Sequence, residues 1–170
     1  MTPRPTHRPP ASATRNAAAD PRAPERSSRA VAHFSAFRAV VKTAGHLERG
    51  FAELFKAHDL SLTQYNVLRI LRGSGQEGAT CGDVGENLIQ HDPDVTRLLD
   101  RLDHRGLIER ARDTKDRRVV RTRITKAGLA LLADLDGPVD DVHDRQLGHL
   151  SEERLAELTA ILDAVREGKA

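Results

Sequence analysis

The residues best equipped for chemistry in this chain are cations, and they are crowded together. Residues 112–126, RDTKDRRVVRTRITK, set seven lysines and arginines against only Asp113 and Asp116. Such a density is costly to hold together unless something negative lies against it. The guanidinium fork suits phosphate oxygens and the guanine edge, so the chemistry on offer is the binding of a polyanion. The same stretch alternates as a strand does, with Val120, Thr122 and Ile124 on one side and Val119, Arg121 and Arg123 on the other. The asymmetry is regional. Residues 96–126 carry eleven Lys/Arg against five Asp/Glu, and residues 1–30 carry six Arg against two acids. The rest of the chain is acidic enough to leave a total of only +2. A positive block in an acidic body is an electrostatic footprint aimed at an anion.

Other reactive residues give weaker signals. Cys81 is the only cysteine, so no intramolecular disulfide can form, which suits the cytoplasm. Its place near a helix start would favour the thiolate and a redox switch, against the simpler reading of a small buried residue. Asp140, His143 and Asp144 share a helix face at i, i+3, i+4, a spacing open to zinc or manganese. With no further ligand cluster they read as a solvated face, and no metal or other cofactor is expected. His33 and His46 recur along the first helix and, with Phe37 and Tyr65, are candidates to line a small-molecule pocket. No HExxH, Gly-rich phosphate loop, CxxC or nucleophile elbow occurs, so an enzyme is not expected. No apolar run is long enough to cross a bilayer and no h-region follows the basic N-terminus, so the expected location is cytoplasmic, away from membranes.

Positioning these groups requires a framework, and the sequence is well punctuated. Six of the eight prolines fall in residues 1–30, which hold little large apolar surface and read as a disordered basic tail. From 31 to 57, Phe34, Phe37, Val41, Ala44, Phe51 and Phe55 make a long amphipathic helix whose stripe is too wide for one small core. Ser151 with Glu152 and Glu153 opens a second such helix through Leu155, Leu158, Leu162 and Val165. Two terminal helices with surplus apolar surface suggest a homodimer. Between them, SLTQ (61–64) is a capping box for a helix to Gly73, and Thr80 with Asp83 opens another. Asp92-Pro93 reads as N-cap and first residue of a helix with Val95, Leu98, Leu99 and Leu102 inward, stopping at Gly106. Two strands, 107–112 and 119–125, follow. Thr125 caps a helix that Gly137-Pro138 is expected to kink or break.

The predicted fold class is therefore mainly α with a small β-hairpin wing (α+β). A winged helix-turn-helix over 58–126 is flanked by dimerisation helices at 31–57 and 127–170. On the helix after Pro93, Asp94, Thr96, Arg97 and Arg101 lie off the apolar face, and Arg97 sits about one turn in, where base edges would be met. Arg101 ranks lower, since it could pair with Asp100 or a neighbouring acid. Lys115, Arg117 and Arg118 at the hairpin tip suit phosphates or a narrow minor groove, with Arg121 behind them. Asp113 and Asp116 are expected to tie down the turn.

The stretches LTQYNVLRIL, DVTRLLDRLDHRGLIERARDTKDRRVVRTRITKAG and LGHLSEERLAELTAIL resemble the MarR family of bacterial transcriptional regulators over roughly residues 33–166. Asp116, Arg117, Arg118, Thr125 and Gly128 carry its most specific pattern. The resemblance implies a homodimer on double-stranded DNA, one helix per protomer in the major groove and one wing in the adjacent minor groove. It also implies repression of nearby genes, relieved by a small, often phenolic, effector. On that reading the chain is a sequence-specific regulator of a pseudo-palindromic operator. The alternative is a winged-helix protein-interaction module without sequence-specific DNA binding.

Overall fold

The structure, a computed structural model, describes residues 28–90, 92–113 and 116–168. The expected tail therefore falls outside the described residues up to position 27. Its last three positions do not belong to a tail, because helix α1 begins at Ser28 and runs to Ala57. The chain divides into two units at Ala39/Val40. In the first, described from Ser28, the backbone is helical and Val31, Phe34 and Phe37 are exposed.

The second unit contains the rest of α1, then α2 (Leu62–Gly73), a 3-10 turn (Gly75–Glu77), α3 (Cys81–Asn87) and α4 (Val95–His104). Strands β1 (Ile108–Arg112) and β2 (Val120–Ile124) follow, and then α5 (Lys126–Leu147) and α6 (Glu152–Glu167). The local signals hold where they are local. Ser61 accepts from the Gln64 amide while Gln64 Oε1 accepts from the Ser61 amide, and Thr80 and Asp83 repeat the reciprocal pair at α3. Backbone and hydroxyl hydrogen bonds from Thr80 hold the Asp83 carboxyl below its ordinary range.

One core organises the unit. Leu68 and Leu71 of α2, Val84 of α3, Leu99 and Leu102 of α4, Ile108 of β1 and Leu132 and Leu135 of α5 are all fully buried. Each such side chain contributes on the order of 1.5–3 kcal/mol by leaving water. Together they seat α4 and the hairpin on one scaffold. The strands pair antiparallel from Ile108↔Ile124 to Arg112↔Val120. A bridge from Ala79 to Thr122, with N···O distances of 2.9 and 2.8 Å, ties the entry to α3 onto the hairpin's other edge.

One punctuation signal is overturned, and at a second the helix is not broken. The N-cap of α4 is Asp94, whose carboxylate accepts from the Arg97 amide, and Asp92 instead accepts from the Asp94 amide. Pro93 thus lies in the turn before the helix. Pro138 neither breaks nor ends α5, which is continuous through it. Leu132, Leu135, Val139 and Val142 are buried on both sides of it. Pro138 itself is exposed, so water can satisfy the carbonyl it leaves unbonded. Leu129 is exposed. No residue of α6 is buried, and Leu158, Ile161 and Val165 form an uncovered apolar face on it.

Candidate nucleic-acid interface

Helix α4 is fixed at both ends and empty-handed in the middle. Asp94 sets its start, and Gly106, with φ of 68°, turns the chain out of it as a left-handed residue. Buried Leu98, Leu99 and Leu102 orient the helix so that Thr96, Arg97, Asp100, Arg101 and His104 face water. Arg97 and Arg101 lie one turn apart, and no hydrogen bond or ion pair within the described residues holds either guanidinium. Arg101 does not pair with Asp100, which Arg110 of β1 holds. Thr96 is exposed, and its hydroxyl lies 3.6 Å from the Cys81 Sγ at the start of α3. Cys81 is thus half-buried rather than buried. Asp94, named among the DNA-binding candidates, uses its carboxylate to cap α4.

The hairpin tip is built by its acids, as their spacing suggests. The Asp113 amide donates to Val119 O and the Val119 amide to Asp116 O, both at 2.9 Å. The Asp113 carboxylate accepts from the Asp116 amide at 3.3 Å, and the Asp116 carboxylate accepts from the Arg118 amide at 3.0 Å. Arg117 and Arg118 are exposed, with guanidinium groups that make no bond among the described residues. Lys115 lies outside the described residues. Arg121 differs from the other candidates. Its guanidinium binds Asp113, which raises its affinity for the proton, with Glu77 and Asp83 adding attraction. It braces the base of the turn through its Nε. Other arginines are likewise structural: Arg105 donates to His58 O at 3.1 Å and to Asp59 O, and Arg123 to Gln76 O at 2.6 Å.

Away from this surface, a cavity of about 520 Å³ opens between α1, α2 and α5. Phe51, Phe55 and Tyr65, three of the five aromatic residues in the chain, gather at its wall, with ring centroids 5.6 and 4.6 Å apart along the series. His143 meets Phe51 edge-on at 5.0 Å, and Arg69 lies over the Tyr65 ring while donating to its hydroxyl at 3.2 Å. Glu48 and Gln90 hydrogen-bond across the lining, and Asn66 Oδ1 accepts from the Ile89 amide at 2.8 Å. Of the pocket candidates, Tyr65 lines this cavity. His46 is exposed and absent from its lining, while His33 and Phe37 are exposed in the 28–39 segment. The sequence gives no signal for Arg69, Asn66, Gln90 and Glu48 here, and it reads His143 as part of a solvated face rather than as a cavity residue. Among the described residues no three His, Cys, Asp or Glu side chains converge as a metal site.

Helix, turn, capped helix and basic hairpin on a common core define a winged helix-turn-helix protein. The MarR family model matches residues 60–120, the span from the end of α1 to the start of β2. A MarR transcription factor from Planctomyces limnophilus is 42% identical, with 76% of this chain and 93% of that chain covered at a TM-score of 0.60. A mutant MarR from Escherichia coli solved with operator DNA is 26% identical, covering 75% of this chain and 91% of that one at a TM-score of 0.68. The regulator TtmR of Methylorubrum extorquens is 34% identical over 98 residues, 58% of this chain, which spans about half (49%) of that relative's length. The chain belongs to the MarR family. Among the described residues, no helix is long and apolar enough to cross a membrane.

Proposed function

We propose that this chain is a transcriptional regulator that binds double-stranded DNA sequence-specifically, as a homodimer on a pseudo-palindromic operator, and represses by occupying it. Arg97 of α4 reads a base edge in the major groove, Thr96 lies beside it, and Arg117 and Arg118 run along the adjacent minor groove. One observation carries the reading. Arg97 stands uncommitted on the water-facing side of a helix whose start, end and buried face are all otherwise engaged. The uncovered apolar faces of α6 (Leu158, Ile161, Val165) and of α1 (Val40, Val41) support pairing of two copies. The aromatic cavity suits a flat small-molecule effector, phenolic in character, whose binding weakens DNA affinity. The protein acts by binding rather than by catalysis, in the cytoplasm where its DNA lies.

Selection of bound sites from a random duplex library tests the proposal. A two-fold-related motif, with half-sites about one helical turn apart, is expected. Enrichment of nothing beyond what any cationic surface retains would instead favour a winged-helix module that meets an acidic protein.

A further inference from the structure

A cleft of about 730 Å³ opens where the end of α1 meets the start of α2, and α4 forms its far wall. Its polar lining sorts into committed and uncommitted groups. Ser61 and Gln64 close the α2 capping box, Arg105 donates to the carbonyls of His58 and Asp59 in the turn after α1, and Asp100 is held by Arg110. Lys56, Arg97 and Arg101 make no hydrogen bond or ion pair among the described residues, and they face the lone unpaired carboxylate of Asp59. The cleft is thus cationic from two walls, and the positive end of the 12-residue α2 borders it.

We infer that Lys56 and Arg101 clamp one backbone phosphate of the DNA, so that the end of α1, outside the helix-turn-helix and wing, is part of the DNA footprint. The inference rests on α4 being the groove helix. Four residues of α-helix rise about 6 Å, and the major groove is about 12 Å wide. A helix that holds Arg97 over base edges therefore carries Arg101 about as far as the groove's rim, where the phosphates are. Lys56 then closes on the same phosphate from the opposite wall. A phosphate carries no sequence information, so the clamp fixes register and tilt while Arg97 supplies the choice of base.

The test is a salt titration of binding to a library-selected site by the full chain, its Lys56→Ala and Arg101→Ala variants and the double variant. Both side chains are exposed and unbonded, so circular dichroism melts should be unchanged; if either melt shifts, Lys56→Gln and Arg101→Gln give the same readout. One phosphate contact contributes about 0.9 to the log–log slope. The double variant should lose about 1.8, one contact in each protomer of the homodimer, which amounts to about 12-fold less weakening than the parent shows between 50 and 200 mM salt. Its selected motif should be unchanged. An unaltered slope, a loss of about 3.6 signifying two separate contacts in each protomer, or an altered base preference at one position would each overturn the shared clamp. A parent chain that selects no motif would overturn the reading of α4 itself, and the clamp with it.

Discussion

Gly128→Ala should destabilise this protein, although it replaces a helical glycine with the best helix former. The glycine sits in the first turn of α5, where its amide donates to Thr125 Oγ1 at 3.1 Å. That hydroxyl donates in turn to Gly106 O at 2.7 Å. A Cβ built there would lie 2.7 Å from Ile124 Cγ1 and well inside van der Waals contact of Leu107 O. The isoleucine side chain can shift away. The carbonyl cannot yield without disturbing the 3.1 Å hydrogen bond it accepts from the Thr125 amide, which closes the root of the hairpin. Overpacking of this kind costs about 1–3 kcal/mol, and loss of the hydrogen bond adds about 1. Improved helix propensity returns about 1 kcal/mol. The net loss is about 1–3 kcal/mol, or roughly 3–9 °C in Tm for a chain of this size.

Gly45→Ala is the matched control. Its Cβ would meet only the mobile end of Arg49 at 3.5 Å, so the propensity gain stands alone at about 0.5–1 kcal/mol. Scanning calorimetry of the two variants beside the parent should show shifts of opposite sign. Should Gly128→Ala melt at or above the parent while Gly45→Ala rises, the close approach of α5 to the wing root would not be what requires glycine there.

Arg97→Ala should cost about 1–3 kcal/mol of operator affinity and relax base preference at one position in each half-site; a loss uniform across sequences would place Arg97 on phosphate instead. Replacing Arg117 and Arg118 together by Ala should weaken binding to all sequences and flatten the salt slope by about 3.6 for the homodimer, and an unchanged slope would reject the wing assignment. Asp136→Asn tests the ion pair with Arg72, whose Nη1 reaches both carboxylate oxygens at 2.8 and 3.0 Å. That hydrogen bond holds the Asp136 carboxyl below its ordinary range. Because the folded value is depressed, the contribution is complete above the ordinary value of about 3.9 and is lost as pH falls through the folded one. Partial exposure limits it to about 1 kcal/mol or less. The Tm gap between parent and variant should hold from pH 5 to 7 and close below about pH 4; a gap that widened in acid would reverse the sign of the argument.

Much of this fold was legible because its signals are short-range. SLTQ and the Thr80/Asp83 pair each close a ring of hydrogen bonds within four residues, so their types and spacing dictate the helix start. Asp92-Pro93-Asp94 offered two acids flanking a proline. The rule that proline favours the first helical position chose the wrong one, because Asp92 caps the turn and Asp94 the helix. At Pro138 the local rule lost to packing, since the helix buries Leu135 before it and Val139 after it. Around the cavity no local signal exists. His46 and His143 look equally promising in the sequence, and only the approach of α5 to α1 decides that His143 meets Phe51. Arg121 shows the same limit. Alternation correctly gave its side of the strand, but not that Asp113 would turn back to bind it.

The charge of the segment from 96 to 126 also divides by function in a way that no count reveals. Arg105 ties the end of α4 to the end of α1, and Arg110 ties β1 to α4. Arg121 ties β2 to its own turn, and Arg123 ties β2 to the 3-10 turn. These four bind elements to one another. Arg97, Arg101, Arg117 and Arg118 bind nothing among the described residues and remain available to DNA. Each exposed pair contributes at most about 1 kcal/mol, so losing one would not unfold the domain. It would loosen the angle between α4 and the wing, which must engage neighbouring grooves together. On the proposed reading the first set supports specificity through geometry, while in the second Arg97 supplies the choice of base and Arg101, Arg117 and Arg118 supply affinity through charge. Salt, which screens both, should erode them by different routes: a fall in contacts for the second, a blurring of the motif for the first.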